Sequence, residues 1–283
     1  MVAGVVDFTA EGRDELRKQV MSFRADAPSY PNSEEQTLNI LTIGDRGAGK
    51  TSWHNTNRSV LRQRLTEILH TAPSSGDVTM RQFNHSLAPF SLNIGMTDVP
   101  GFTTVKNWPT YQRLLRCIIA GKTRDGDALL PITEDLLTVL EARPAASYRK
   151  QIHCIVVLRK VEDDRPNFVM HLRSLVEEFD VRVPVMVLLT KADMLLDENQ
   201  TLDTIYDLDD FKTARKQLAE GASLDANRIL PMVSYAGGVA YPNVHVEVLA
   251  LKSLQRAQSL AERALQNRGR SMQLLANELG RSP

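Results

Sequence analysis

The chain carries a glycine-rich segment whose residue types suit the binding of a polyphosphate. Residues 44–52 read GDRGAGKTS and match the pattern G-x-x-x-x-G-K-[ST] in full. In such a loop, successive main-chain N–H groups point inward at the positive end of the helix that follows. The pattern predicts that the Lys50 ammonium reaches the β- and γ-phosphates and that the Thr51 hydroxyl ligates Mg²⁺. The apolar run 38–43 predicts the preceding strand that such a loop requires.

Nine consecutive residues of this loop are predicted to surround the phosphates. They are Gly44, Asp45, Arg46, Gly47, Ala48, Gly49, Lys50, Thr51 and Ser52. Lys50 and Arg46 are also candidates for catalysis, because a phosphoryl-transfer site needs extra positive charge at its transition state. Arg46 is either an arginine finger, acting in cis or in trans, or a solvated loop side chain, and the latter reading is the commoner for such a residue.

A second candidate for metal binding lies at the end of a later apolar run. Residues 98–101 read DVPG and match the pattern D-x-x-G. The Asp98 carboxylate is predicted to hold Mg²⁺ through water, and the Gly101 N–H to meet the γ-phosphate. Taken alone this tetrapeptide is an ordinary turn, so the prediction depends on its position after the phosphate loop.

The residue that closes over the metal and the residue that orients the attacking water are harder to assign. Thr79 is the candidate for the metal-binding threonine, with Thr71 as the alternative and a plain strand threonine as the competing interpretation. Phe102 follows Gly101, so no glutamine stands there to orient the attacking water. Hydrolysis is therefore expected to be slow or to depend on a partner.

A third motif indicates which base is bound. Residues 190–193 read TKAD at the end of an apolar run, and Thr190, Lys191 and Asp193 fit the pattern [NT]-K-x-D. A carboxylate at Asp193 accepts hydrogen bonds from the N1–H and 2-amino groups of guanine, whereas adenine would leave it unpaired. A further loop begins at Ser234 and Tyr235, where a main-chain N–H is a weaker candidate for binding the guanine O6.

Composition limits the remaining function classes. Lys plus Arg and Asp plus Glu number 34 each in 283 residues, so no global charge favours nucleic acid or acidic lipid. The two cysteines lack metal-ligand spacing and fit reduced thiols. With no apolar stretch approaching 18 residues, we predict a cytoplasmic protein without a transmembrane segment. The C-terminal tail is basic, but a helix that closes the core edge is favoured over membrane contact.

Periodicity predicts an α/β fold of the P-loop NTPase type, with a mostly parallel twisted sheet and helices on both faces, an N-terminal helix and a C-terminal helical segment. Helices are expected at 10–23, 50–69, 111–120, 136–141, 168–179 and from 244 with a break at 267–269; strands are expected at 37–43, 78–83, 90–97, 152–158, 183–189 and 228–233, with a hairpin turn at His85 and Ser86. The predicted domains are an N-terminal helical arm and linker at 1–33, a nucleotide-binding domain at 34–243 with an insertion near 121–150, and a helical extension at 244–283.

These motifs, in this order, resemble the guanine-nucleotide-binding domain of the interferon-induced protein 44 family, which is itself similar to dynamin-like GTPases. The resemblance covers roughly residues 5–238 and is carried by the helix before the core and by residues 38–41, 47–52, 55, 98–101, 119–131, 152–154 and 188–193. It implies a G domain that binds GTP or GDP, and vertebrate members of the family are linked to antiviral responses.

Three hypotheses follow. The first is a Mg²⁺-dependent GTP-binding switch with weak GTPase activity, for which a homodimer or an activating protein is a candidate partner. The second is a scaffold that binds nucleotide without hydrolysing it. The third is an ATPase in which the TKAD segment is only a turn.

Overall fold

A central sheet organises the chain in the computed structural model, which describes residues 6–23, 37–65, 83–86, 94–99, 107–162, 167–235 and 241–278. Within those ranges the strands are β1 (Leu38–Gly44), β2 (Phe83–Ser86), β3 (Ile94–Asp98), β4 (Cys154–Lys160), β5 (Val185–Thr190) and β6 (Ile229–Met232). The helices are α1 (Ala10–Ser22), α2 (Lys50–Arg62), α3 (Trp108–Ile119), α4 (Glu134–Ala142), α5 (Asn167–Phe179), α6 (Asp209–Ala222) and α7 (Val244–Glu278).

The sheet has the strand order β2-β3-β1-β4-β5-β6. β2 runs antiparallel to β3, and the neighbouring pairs from β3 to β6 are all parallel. The predicted mostly parallel α/β fold is therefore confirmed. Strands β4 and β5 are apolar along most of their length because both faces of the sheet are covered by helices.

Alternation along the strands divides the core into two layers. In β4, for example, Val156 packs on one side of the sheet and Val157 on the other. Helices α1, α2 and α7 bury their apolar side chains in the first layer, and α3, α4, α5 and α6 bury theirs in the second. α7 therefore lies over a face of the sheet rather than closing its edge.

The first helix is part of the core. Thr9 caps α1 through a hydrogen bond from the Gly12 N–H, and Val20 is fully buried against α7. Arg17 donates to the Val60 carbonyl at 3.1 Å, and its guanidinium also contacts Glu247 at 3.4 Å. These buried polar contacts connect α1 to the end of α2 and to the start of α7.

The structure corrects the predicted end of one helix, the position of one turn and one helix break. α2 ends at Arg62 instead of near residue 69, because Gln63 takes a left-handed conformation that lets its N–H bond back to the helix. His85 and Ser86 lie within strand β2 and form no hairpin turn there. α7 continues through 267–269 without the predicted break; the Tyr148 ring packs under the Arg268 guanidinium at 4.5 Å, so this part of the helix has a tertiary contact.

Candidate functional site

The predicted site residues converge on one edge of the sheet. Because β1, β3, β4 and β5 are parallel, their carboxyl ends point in the same direction. In register, Thr42 of β1 pairs with Asp98 of β3, and Lys160 of β4 pairs with Thr190 of β5. β1 has neighbours on both sides, so the 44–52 loop leaves the sheet between the ends of β3 and β4.

Backbone contact forces the shape of this loop at its first residue. Gly44 has φ +151°, and a Cβ built on it would lie 2.3 Å from the Leu158 carbonyl oxygen of β4. Only glycine fits so close to a neighbouring backbone. At the other end of the loop, Gly49 is the N-cap residue of α2 and has no side chain to cap the first turn. The first N–H groups of α2 are thus directed at whatever anion enters the loop.

Lys50 lies beneath the loop and is only 9% exposed. Its ammonium donates to the main-chain carbonyls of Gly44 at 3.1 Å and Asp45 at 3.2 Å. These carbonyls take two of its three N–H groups, which leaves one for a phosphate oxygen. Burial lowers the pKa of Lys50, while the charges of Asp98 and Asp45 act in the opposite direction.

Thr51 and Asp98 meet directly. The Thr51 hydroxyl donates to the Asp98 carboxylate at 3.1 Å, and Asp98 is 2% exposed. Both supply hard oxygen atoms of the kind that Mg²⁺ prefers, and they stand where the phosphate loop joins α2. The donor set of Thr51 and Asp98 therefore fits a magnesium ion, which would neutralise part of the charge of a bound polyphosphate.

The end of β3 is hydrogen-bonded to the neighbouring strand β1, which in turn contacts α2. The Thr42 hydroxyl donates to the Thr97 carbonyl at 2.9 Å and lies 3.1 Å from Nε2 of His54 on α2. All three residues are buried. These contacts position Asp98 relative to α2, so His54 acts in packing rather than at the phosphates.

The loop is also joined to the segment predicted to read the base. The Thr190 hydroxyl donates to the Ala48 carbonyl at 2.9 Å and lies 3.2 Å from the Arg159 carbonyl. Lys191 follows with φ +56°, and Asp193 lies in the short 3-10 turn Ala192–Leu195. Both side chains are exposed, as recognition of an entering base requires.

The third base-loop candidate is engaged elsewhere. Ser234 and Tyr235 follow β6. The Tyr235 N–H donates to the Thr56 hydroxyl of α2 at 3.0 Å, and its phenol hydroxyl contacts the Asn243 carbonyl at 3.2 Å. Tyr235 thus links β6 to α2 and to the segment before α7, and its N–H is already used by the protein.

The remaining predicted site residues are Arg46 and four residues outside the described ranges. Arg46 is exposed on the loop. Thr71, Thr79, Gly101 and Phe102 lie outside the described residues, so their roles stay predictions.

Sequence reasoning missed two neighbours of the loop. Tyr111 of α3 is 1% exposed, and burial raises the pKa of its phenol, with the charges of Asp45 and Asp98 adding to the rise. Lys160 ends β4 and brings its ammonium close to Gly47. Neither residue belongs to a local motif; only the pairing of β4 with β5 and the packing of α3 reveal them.

The strand order, the loop between β1 and α2 and the carboxylate at the end of β3 define a fold of the P-loop NTPase type. Among solved structures, the protein is similar to LeoA, a bacterial dynamin GTPase from ETEC, with a TM-score of 0.52 and 12% sequence identity over 87% of this chain. The matched region is 40% of the LeoA chain, so this chain spans less than half of that protein.

Two further likenesses are weaker. A septin GTPase domain from Chlamydomonas reinhardtii has a TM-score of 0.47 and 15% identity, covering 83% of this chain and 96% of the septin chain. A structure of the chloroplast translocon components atToc33 and psToc159 has a TM-score of 0.44 and 14% identity, covering 78% of this chain and 83% of that chain. TM-scores below 0.5 do not establish a shared fold.

No protein-family model and no curated protein matches the sequence. The narrower resemblance to the interferon-induced protein 44 family therefore stays a prediction. In the part of the chain that the structure describes, no helix is long and apolar enough to cross a membrane.

Proposed function

We propose that the protein binds guanine nucleotides with Mg²⁺ and acts as a switch that hydrolyses GTP slowly or on stimulation by a partner. The observation that carries the proposal is the pair of hydrogen bonds made by the phosphate loop region. Thr51 bonds to Asp98 at 3.1 Å, and Ala48 accepts from Thr190 at 2.9 Å. A candidate metal site and a candidate base site are thereby attached to one phosphate loop, within the proposed nucleotide-binding domain 34–243.

The phosphate end of the site has the chemistry for a polyphosphate. The uncapped first turn of α2 presents N–H groups, and Lys50 adds a buried cation with an N–H to donate. Burial has removed water from the Lys50 ammonium, which lies near Asp98 and Asp45. A phosphate oxygen would give the ammonium a charged hydrogen-bond acceptor in place of that water. GTP and GDP should therefore bind far more tightly than guanosine.

The choice of guanine rests on Asp193. Its carboxylate is exposed, and the residue lies shortly after Thr190, whose hydroxyl is hydrogen-bonded to the phosphate loop. This contact limits the distance between the Asp193 carboxylate and phosphates bound in the loop. A carboxylate pairs with the N1–H and 2-amino groups of guanine, whereas adenine offers an acceptor at N1 and no 2-amino group. ATP is accordingly expected to compete poorly.

Slow hydrolysis follows from the residue after Gly101. Phe102 has no group that orients water, and the remaining candidates for catalysis are Lys50, Arg46 and Thr79. Arg46 is exposed, as an arginine that acts on a second copy of the chain would need to be. An activating protein would supply the same charge.

A nucleotide titration tests the proposal. Fluorescent GTP and GDP are titrated with and without Mg²⁺ into the wild type, Lys50→Ala and Asp193→Asn, with Lys18→Ala on the exposed side of α1 as the control. Lys50→Ala should weaken GTP binding by about 100-fold, because it removes a charge-assisted hydrogen bond in a buried site. Asp193→Asn should weaken the binding of GTP and strengthen the binding of xanthosine triphosphate.

The outcomes separate the alternatives. Equal displacement of labelled GTP by ATP and GTP would indicate an ATPase, and unchanged affinity in both site variants would refute the proposed site. Phosphate release measured at rising protein concentration then separates a GTPase from a scaffold. Activity per molecule that rises with concentration supports activation by a second copy, and binding without release supports the scaffold.

A further inference from the structure

We propose that Lys160, at the end of β4, is a second phosphate-binding cation of the nucleotide site. The inference rests on the proposed function and adds a residue that belongs to none of the sequence motifs. Lys160 Nζ lies 3.4 Å from the point that a Cβ on Gly47 would occupy. Gly47 is an exposed residue of the phosphate loop, so the ammonium stands over the loop from outside the core.

The position of Lys160 is fixed by the same threonine that holds the loop. Lys160 pairs in register with Thr190. The Thr190 hydroxyl lies 3.2 Å from the carbonyl of Arg159, and the Val161 N–H donates to the Thr190 carbonyl at 3.0 Å. The backbone is therefore bonded to β5 immediately before and immediately after Lys160, which limits the region its side chain can reach.

Strand alternation determines the side on which Lys160 projects. Arg159 places its guanidinium over the Phe168 ring of α5, with 4.5 Å from Cζ to the ring centroid. Because successive side chains of a strand point to opposite faces, Lys160 points away from α5. This is the side on which Gly47 lies, consistent with the short distance between them.

The charge of Lys160 is available for an anion. Among the described residues, Lys160 takes part in no ion pair within 4.0 Å. Lys50 contacts the buried side of the loop, where its ammonium donates to the carbonyls of Gly44 and Asp45. The Lys160 ammonium instead lies close to Gly47. A nucleotide whose phosphates run along the loop would meet both ammonium groups, and its negative charge would balance them.

The test compares the charge at position 160 with its bulk. Fluorescent GDP is titrated with Mg²⁺ into the wild type, Lys160→Met, which keeps much of the apolar stem, and Lys160→Arg, which keeps the charge; Lys18→Met on α1 is the control for net charge. Lys160→Met should weaken GDP binding by about tenfold, the loss expected for one charge-assisted contact in a half-exposed site. Lys160→Arg should restore most of the affinity, and Lys18→Met should match the wild type.

Salt dependence and stability separate a phosphate contact from packing. The wild-type affinity should fall more steeply with salt than that of Lys160→Met, while the two nucleotide-free proteins should unfold at the same urea concentration. GDP affinity of Lys160→Met within twofold of the wild type overturns the inference, and so does a tenfold loss with unchanged salt dependence. Failure of the wild type itself to bind GDP refutes the proposed function instead.

Discussion

The Thr190 hydroxyl donates a hydrogen bond to the Ala48 carbonyl at 2.9 Å, across 142 positions of sequence. Thr190 ends β5 and opens the segment predicted to read the base, and Ala48 lies in the phosphate loop. Both residues are buried. One contact therefore fixes the relative positions of two halves of the candidate site.

Loss of this hydroxyl should loosen the loop. Thr190→Ala removes the donor and leaves the buried Ala48 carbonyl without it, so we expect the free energy of unfolding to fall by about 1–2 kcal/mol. GDP affinity should fall with it. Urea unfolding and nucleotide titration of Thr190→Ala beside Thr190→Ser, which keeps the hydroxyl, check both effects. Equal behaviour of the two variants would show that the hydrogen bond is unimportant.

Removal of the Thr51 hydroxyl should reduce the effect of Mg²⁺ on GTP binding. The hydroxyl and the Asp98 carboxylate form the candidate metal site, 3.1 Å apart. In Thr51→Ala we expect the ratio of GTP affinities with and without Mg²⁺ to fall by about tenfold, because one hard oxygen ligand is lost. Titrations with Mg²⁺ and with EDTA measure this ratio.

Thr51→Ser is the matched control, since it keeps the hydroxyl and should keep the Mg²⁺ effect. A Mg²⁺ effect of wild-type size in Thr51→Ala would place the metal elsewhere.

Substitution of the first loop glycine should damage the fold itself. A Cβ at Gly44 would lie 2.3 Å from the Leu158 carbonyl oxygen, so Gly44→Ala forces β1 and β4 apart. We expect the free energy of unfolding to fall by about 3 kcal/mol or more. Gly126 also has a positive φ, +79°, but no atom lies within 4 Å of its Cβ position.

Gly126→Ala should therefore cost only the conformational term, about 1 kcal/mol. Urea unfolding of both variants tests the difference. A similar loss in the two variants would mean that the approach of β4 to Gly44 does not limit the side chain.

Stability should fall as the pH drops from about 6.5 towards 4, in part because of His153. Burial lowers the pKa of this histidine from 6.5 to about 4, and the charge of Arg268 acts in the same direction, against the hydrogen bond with the Tyr148 carbonyl. Its Nδ1 accepts from the Asn39 N–H at 3.0 Å, which requires Nδ1 to be unprotonated. The unfolded chain therefore binds a proton at a higher pH than the folded protein does.

The contribution of His153 is thus fully present above pH 6.5 and is lost as the pH falls through that window. Between pH 7 and pH 5 we expect a loss of about 2 kcal/mol from this residue. His153→Asn keeps an acceptor and a donor but does not titrate, so its unfolding free energy should change less over the same range. Parallel pH profiles of the two proteins would contradict the assignment.

The candidate site could be proposed from the sequence where its residues lie close together along the chain. The phosphate loop, Asp98 and the 190–193 segment each combine residue types that act within a few positions of one another, and each follows an apolar run that forms a strand in the structure. Helix α6 is absent from the helices predicted above, since only three of its side chains, Phe211, Leu218 and Ala222, are buried and its apolar periodicity is weak. Tertiary packing on α5 and β6 stabilises it.

By itself the sequence determined the order along the chain of the strands and of the α-helices described above other than α6, together with the chemical groups of the loop, because turn residues, periodicity and motif spacing act locally. Only the tertiary structure decided that β1 lies between β3 and β4, that Thr190 bonds to Ala48 and that Lys160 stands over Gly47. These contacts join residues that are distant in sequence. They depend on sheet order and register, which no short segment of the chain specifies.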